Sequence, residues 1–147
     1  GVARLKEARG NCESVAAVGT EQQDIMQLYF VAFRTGDKMD MGVKQLADLR
    51  ERIANATLED KSDAFNTARI EALELHNLFE VAEATAISAN VRTESRGAHA
   101  RDDFQDRDDE NWLCHSIYFA DEKRVGKRGV NFEPVTVDTF EPKARVY

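Results

Sequence analysis

Two cysteines, two prolines and three histidines are few for 147 residues, and each scarcity excludes a class of chemistry. Cys12 and Cys114 stand far apart in the chain, with neither a Cys-x-x-Cys pair nor a nearby His pair at metal-ligand spacing. This predicts no metal site and a reduced, intracellular compartment. His115 directly follows Cys114, but neighbours on a strand point to opposite faces and make a poor shared ligand set. Positive charge is also in deficit: 20 Lys and Arg against 27 Asp and Glu leave a net charge of −7, which excludes a broad hold on nucleic acid or an anionic membrane surface. Long hydrophobic runs are missing. The stretch from Ile25 to Phe33 is broken by Gln27 and falls far short of the ~20 residues of a membrane span, so no direct membrane span is expected. The N-terminus, Gly-Val-Ala-Arg-Leu-Lys-Glu, lacks the apolar core of a secretion signal, and a cytoplasmic protein is the expectation. The eight glycines are scattered. No phosphate-cradling loop can be assembled from them, and Gly126-Lys127-Arg128-Gly129 reads as a hairpin turn.

What the chain does hold is 42% hydrophobic residues, enough for one compact body with appendages. Residues 1–9 read as the end of a helix closed by Gly10, followed by a loop through Gly19. Thr20 is the expected N-cap of the next helix, with Gln23 as its capping-box partner, and Ile25, Leu28, Tyr29, Ala32 and Phe33 recur at helical spacing. Gly36 should end that helix and Asp37 cap the next, whose stripe is Met39, Val43, Leu46, Leu49 and Ile53. Residues 55–63 read as a polar turn. From Ala64 to about Arg92 neither Gly nor Pro interrupts a run rich in Ala, Glu and Leu, which predicts one long helix with Ile70, Leu73, Leu78, Val81, Ala82 and Thr85 on one face. Phe65, Leu75 and Phe79 widen its apolar surface, so it should touch more than one neighbour.

Beyond a charged stretch the period changes. Residues 112–119 have the aromatic and β-branched content of a strand, residues 121–124 a turn, and residues 128–132 a returning strand. Both prolines lie in the ending, which predicts an extended tail strapped across another surface. The expected architecture is mainly α: an antiparallel three-helix, up-down-up bundle of the spectrin-repeat kind over residues 1–92, a charged interaction loop over 93–111, and a β-hairpin with an extended tail over 112–147.

The charged stretch, residues 93–112, is about three times the length of an ordinary connection and has no apolar periodicity, so it reads as a binding surface or as disorder. Ser95, His99 and Asp102 share one local segment with no nucleophile elbow, and no catalytic triad is read there. The acidic run 102–110 lacks the central Gly and the twelfth-position Glu of a helix-loop-helix calcium site, leaving a solvated charge run. His76 reads as a helix-face histidine. For His99, flanked by Arg96 and Arg101 beside Gly97, two readings stand: a loop histidine that locks the turn through backbone hydrogen bonds, or part of a basic patch facing an acidic or phosphate-bearing partner.

The runs Arg92-Thr93-Glu94-Ser95-Arg96-Gly97-Ala98-His99-Ala100-Arg101-Asp102-Asp103-Phe104 and Asp106-Arg107-Asp108-Asp109-Glu110-Asn111-Trp112-Leu113-Cys114-His115-Ser116 closely resemble the C-terminal region of succinate dehydrogenase flavoprotein subunits. Similarity extends to Arg34-Thr35-Gly36-Asp37-Lys38-Met39, to Phe65-Asn66-Thr67-Ala68-Arg69-Ile70, to Ala84-Thr85-Ala86-Ile87-Ser88-Ala89-Asn90 and to the closing Pro142-Lys143-Ala144-Arg145-Val146-Tyr147. Fumarate reductase flavoproteins and L-aspartate oxidase share the Ser-Arg-Gly and His pattern. The Trp-Leu-Cys-His-Ser run and the Pro-x-x-Arg-x-Tyr ending favour succinate dehydrogenase, and the link from Arg107 to Trp112 looks bacterial. Gln105 departs from the family, standing where a Pro is frequent.

The resemblance implies a parent enzyme that oxidises succinate to fumarate at FAD and passes electrons to an iron-sulfur subunit and quinone, peripheral on the cytoplasmic face of the inner membrane. It places the flavin-binding and dicarboxylate-binding motifs upstream of these residues, so the chain itself carries no catalytic residue, cofactor or metal. The implied partners are the flavin domain of the same parent chain and the iron-sulfur subunit. The implied interdomain or subunit contact comprises Arg92, Glu94, Ser95, Arg96, Gly97, His99, Arg101 and Asp102. A free-standing helical adaptor, with Arg96, His99 and Arg101 binding an acidic partner, is the alternative of another class.

Overall fold

Helix α1 (Val15–Phe30) starts at Ser14, whose hydroxyl accepts the Ala17 N–H at 3.2 Å. The start therefore lies six residues before the one expected at Thr20, whose hydroxyl instead donates to the Ala16 carbonyl oxygen at 3.1 Å, inside the helix. The small apolar run that reads as a loop packs instead: Val15 and Val18 are buried, and Gly19 lies against Leu75. These data come from a computed structural model that describes residues 14–54 and 66–143. The readings on residues 1–10, Cys12, the polar turn 55–63, Phe65 and residues 144–147 lie outside those limits.

Helix α1 ends at Phe30 rather than at Gly36, because Phe33 takes a left-handed backbone with φ of 53°. Gly36 opens α2 (Gly36–Ile53), and its N–H donates to Asp103 Oδ2 at 2.7 Å. A carboxylate from a distant loop thus serves the helix end that local sequence assigns to Asp37, which sits in the first turn. Met39, Leu46, Leu49 and Ile53 are buried as their spacing predicts, with Val43 packed beside them. In α1 the pattern holds less well: Ile25 and Phe30 face inward, whereas Leu28 and Phe33 are exposed. Helix α3 (Thr67–Val91) is capped by the Asn66 side chain, which accepts the Arg69 N–H at 2.8 Å.

The face of α3 turned to the core matches the expected one only at Ala82 and at Leu75 and Phe79, which widen it. Ala72, Leu75, Phe79, Ala82, Ala86 and Ala89 are buried with Glu83, while Ile70, Leu73, Leu78 and Val81 are exposed. Two apolar rows compete on this helix. The bundle takes the row rich in alanine, because small side chains let three helix backbones approach closely.

Cross-links fix the directions of the helices. Arg52 reaches Glu21 and Gln45 reaches Tyr29, so α1 and α2 run antiparallel. Asn90 reaches Asp40 and Arg50 reaches Glu80 and Glu83, so α2 and α3 also run antiparallel. The result is the up-down-up bundle. At its closest point Gly42 faces α1, where an added Cβ would lie 2.5 Å from the Phe30 ring.

Trp112 ends a single helical turn, α4 (Asp109–Trp112), instead of opening a strand. The hairpin that follows pairs β1 (Cys114–Phe119) with β2 (Arg124–Gly129), in antiparallel register from Cys114 opposite Gly129 to Phe119 opposite Arg124. Residues 120–123 make the turn, so Gly126 to Gly129 form a strand, not the turn their composition suggests. Gly126 is needed there for packing, since a Cβ would come within 2.9 Å of the Phe119 ring. Residues 130–143 carry no strand or helix, and Val135, Val137 and Phe140 lie open rather than strapped onto the bundle.

Candidate functional site

The charged loop is an ordered polar structure built around one carboxylate. Glu94 is completely buried, at 0% exposure. It accepts from Arg92 Nη1, from Arg96 Nε at 2.8 Å and Nη2 at 3.0 Å, and from the Asp108 backbone N–H at 2.9 Å. Burial alone would push its carboxyl up, but the hydrogen bonds from Arg96, the Asp108 N–H and Arg92 outweigh burial and hold it below the usual range.

Arg92, just past the end of α3, is the staple between bundle and hairpin. Its guanidinium also donates to the carbonyl oxygens of Trp112 at 3.0 Å and Cys114 at 2.6 Å, and lies over the Trp112 ring. Lys127 of β2 approaches the same ring at 3.6 Å, while the indole N–H donates to Thr93 Oγ1. Trp112 thereby meets two cations, which its π system attracts. Arg96 takes a second carboxylate, Asp109, at 2.6 Å, and its pKa is raised by the Glu94 hydrogen bonds.

Arg96 and His99 exchange both backbone hydrogen bonds across a tight turn, with Gly97 at φ of 57° in its first central position. That conformation needs glycine. Arg101 is nearly buried and pairs through two bonds with Asp103, which is held at a pKa of about 2 chiefly by those bonds. Its third nitrogen donates to the carbonyl oxygens of Asn90 and Arg92, closing the C-terminus of α3. Ser95 completes the loop, its hydroxyl accepting the Arg101 N–H and donating to the Phe104 carbonyl oxygen.

His99 Nδ1 lies 2.8 Å from Arg34 Nη1, and its Nε2 lies 3.1 Å from the Arg92 carbonyl oxygen. A guanidinium only donates, so Nδ1 accepts and the ring proton sits on Nε2. Burial lowers the imidazole pKa, and Arg34, Arg101 and Arg92 lower it further, against the bond to the Arg92 carbonyl oxygen. His99 is therefore a neutral bridge that locks the turn, the first of its two readings.

Arg92, Glu94, Ser95, Arg96, His99 and Arg101 thus converge. Gly97 shapes the turn from outside, and Asp102 contributes its backbone N–H, which donates to the Arg34 carbonyl oxygen at 2.8 Å, while its carboxylate stays exposed. Two participants escape sequence reasoning. Arg34 comes from the link between α1 and α2. Glu83, at 4% exposure, binds Arg50 of α2, accepts the Tyr118 hydroxyl proton at 3.1 Å and lies 3.4 Å from Lys123, fastening the hairpin to the bundle. Burial and the Glu83 charge push Tyr118 up to about 12. A carboxylate between Phe79 and Ala86 on the buried row was the available signal.

Among the described residues no three His, Cys, Asp or Glu side chains gather as a metal site. A flavin pyrophosphate needs a glycine turn opening onto a helix N-terminus, whereas Gly97, the described glycine with positive φ, sits in a turn that returns to a loop. These residues do not fit FAD. An open groove of about 730 Å³ between α3 and β1 is lined by Val81, Ala84 and Ala89 together with polar side chains, among them Glu80, Arg92 and His115.

The chain is 49% identical over 146 residues to the succinate dehydrogenase flavoprotein subunit of Coxiella burnetii, covering 98% of the chain and 25% of that protein. It is 36% identical over 135 residues to a fumarate reductase flavoprotein subunit of Mycobacterium tuberculosis, covering 92% of the chain and 23% of that protein. In three dimensions it matches the FrdA chain of E. coli quinol fumarate reductase with a TM-score of 0.81 at 32% identity, over 95% of this chain and 24% of that one. Archaeoglobus fulgidus adenylylsulfate reductase shares the fold alone, with a TM-score of 0.70 at 22% identity. The chain spans about a quarter of the length of the curated relatives it matches. Residues 20–147 match the family described as fumarate reductase flavoprotein C-term, and the chain belongs to that family of succinate dehydrogenase and fumarate reductase flavoprotein C-terminal domains.

Proposed function

We propose that the chain is the non-catalytic helical domain of a succinate dehydrogenase flavoprotein subunit, buttressing the flavin domain of the same polypeptide and offering surface to the iron-sulfur subunit. The parent enzyme would oxidise succinate to fumarate at FAD and pass electrons through iron-sulfur centres to quinone, peripheral on the cytoplasmic face of the inner membrane. One observation carries this reading: Arg92, Arg96, Arg101 and Arg107 of the polar loop are paired with carboxylates of that same loop, while an apolar row of Ile70, Leu73, Leu78 and Val81 and the tail residues Val135, Val137 and Phe140 stand bare. Such exposed apolar surface calls for a cover, not for a small polar ligand. The adaptor alternative needs Arg96 and Arg101 free for an acidic partner, yet Glu94, Asp109 and Asp103 already engage them.

The test compares two preparations. A full-length flavoprotein carrying this region should show a flavin spectrum and succinate-dependent dye reduction, and this chain mixed with FAD and succinate should show neither. Flavin binding or turnover by the chain alone would overturn the reading. The resemblance to fumarate reductases makes the reverse reaction, fumarate reduction by a low-potential dye, the second assay on the same preparation.

A further inference from the structure

Arg34 differs from the other arginines of the loop cluster in what it touches. Arg92 and Arg96 share Glu94, and Arg101 holds Asp103. Arg34 is half-buried, and its two hydrogen bonds go to uncharged acceptors, the Phe30 carbonyl oxygen at 2.8 Å and His99 Nδ1. Among the described residues no carboxylate pairs with it and its Nη2 donates to nothing. Burial without a counter-ion leaves this guanidinium partly desolvated, a state that an added carboxylate would relieve.

The residue before it is strained. Phe33 holds φ of 53° and is 73% exposed, and Val31 is 54% exposed. A left-handed backbone at a bulky residue is strained and persists where surrounding structure imposes it. Here the strain turns an aromatic ring outward beside an unpaired arginine, the composition of an interface centre.

We propose that Val31, Phe33 and Arg34 form a docking elbow for the part of the same polypeptide that lies upstream of this chain, with Phe33 entering an apolar recess and an Asp or Glu side chain taking Arg34 Nη2. The proposal rests on the reading of this chain as the terminal quarter of a longer flavoprotein. Covalent continuity favours that occupant over a separate molecule, because an intramolecular contact is made at high effective concentration and can hold a strained elbow permanently.

The experiment uses the full-length flavoprotein with the photo-crosslinker p-benzoylphenylalanine placed at Phe33 and, in a second variant, at Val31, followed by mass-spectrometric mapping of the adducts. An intramolecular adduct upstream of Gly1, within a few residues of an Asp or Glu, is expected. Adding Arg34→Gln should lower its yield severalfold, and Arg34→Lys should restore most of it. Adducts confined to a second copy, to another subunit or to residues of this chain would overturn the proposal, as would a yield indifferent to Arg34→Gln. Flavin absorbance of the unsubstituted protein reports on the underlying reading separately. Flavin present without an upstream adduct sinks the elbow alone, whereas a full-length protein without flavin sinks the reading beneath it.

Discussion

Replacing Glu94 by Gln removes one charge and almost no volume, so its cost isolates the electrostatics of the loop. The carboxylate is fully buried and accepts from two arginines and a backbone N–H. Removing one partner of a buried pair typically costs about 3–5 kcal/mol, because the remaining charge keeps its desolvation without its counter-ion. Two features place Glu94→Gln at the lower end. Arg92 retains the carbonyl oxygens of Trp112 and Cys114, and Arg96 retains Asp109. The amide nevertheless turns a donor toward Arg96 or the Asp108 N–H, where only an acceptor fits. A loss of about 3 kcal/mol, or about 6–12 °C in Tm for a chain of this size, is expected.

Urea unfolding of this chain measures it, with the fluorescence of Trp112, the single tryptophan, reporting on the loop and far-UV dichroism on the helices. Arg96→Ala should cost less, about 1.5–2 kcal/mol, since Glu94 would keep Arg92 and the Asp108 N–H. The double variant should fall short of the sum of the two. The pH dependence has a definite sign. The Glu94 carboxyl is held below its ordinary value of 4.5, so its contribution is complete above that pH and disappears as pH falls through the folded-state value. Glu94→Gln should lack that portion of the acid limb. A loss under about 1 kcal/mol, or strict additivity with Arg96→Ala, would refute the claim that one buried carboxylate organises the loop.

Two further substitutions test other joints of the structure. Gly42→Ala should destabilise by about 1–3 kcal/mol despite the better helix propensity of alanine, because its Cβ would meet the Phe30 ring at 2.5 Å and Tyr29 Cβ at 2.7 Å; a gain of stability in thermal unfolding would show that α1 and α2 can slide apart. His99→Asn keeps an acceptor for Arg34 but cannot titrate. Because burial and the guanidinium groups of Arg34, Arg101 and Arg92 hold the folded imidazole below 6.5, the native chain should lose stability as pH drops from 6.5 toward that lower value, and His99→Asn should be flatter over the same window. Parallel curves would remove His99 as the group responsible.

What sequence can say about this molecule follows the range of the interactions concerned. Element types were readable: Met39, Leu46, Leu49 and Ile53 recur at helical spacing and are buried, and the aromatic, β-branched run before Phe119 is a strand. Helix ends were misplaced where a distant group decides them, as when Asp103 serves the start of α2 from 67 positions away. The charged loop announced itself by composition, yet Arg34 did not, since its partner His99 stands 65 positions along the chain.

Helix α3 shows the limit most clearly. Its sequence carries two apolar rows, and periodicity alone ranks the bulky row of Ile70, Leu73, Leu78 and Val81 above the alanine row. Packing reverses that ranking, because the alanine row admits α1 and α2 at close range and places Glu83 where Arg50, Tyr118 and Lys123 can reach it. The bulky row then has no function inside the bundle. Ile70, Leu73, Leu78 and Val81 form an exposed apolar surface of the kind that calls for a cover. The row on α3 and the elbow at Phe33 are the two surfaces that the proposed docking onto the rest of a flavoprotein would cover.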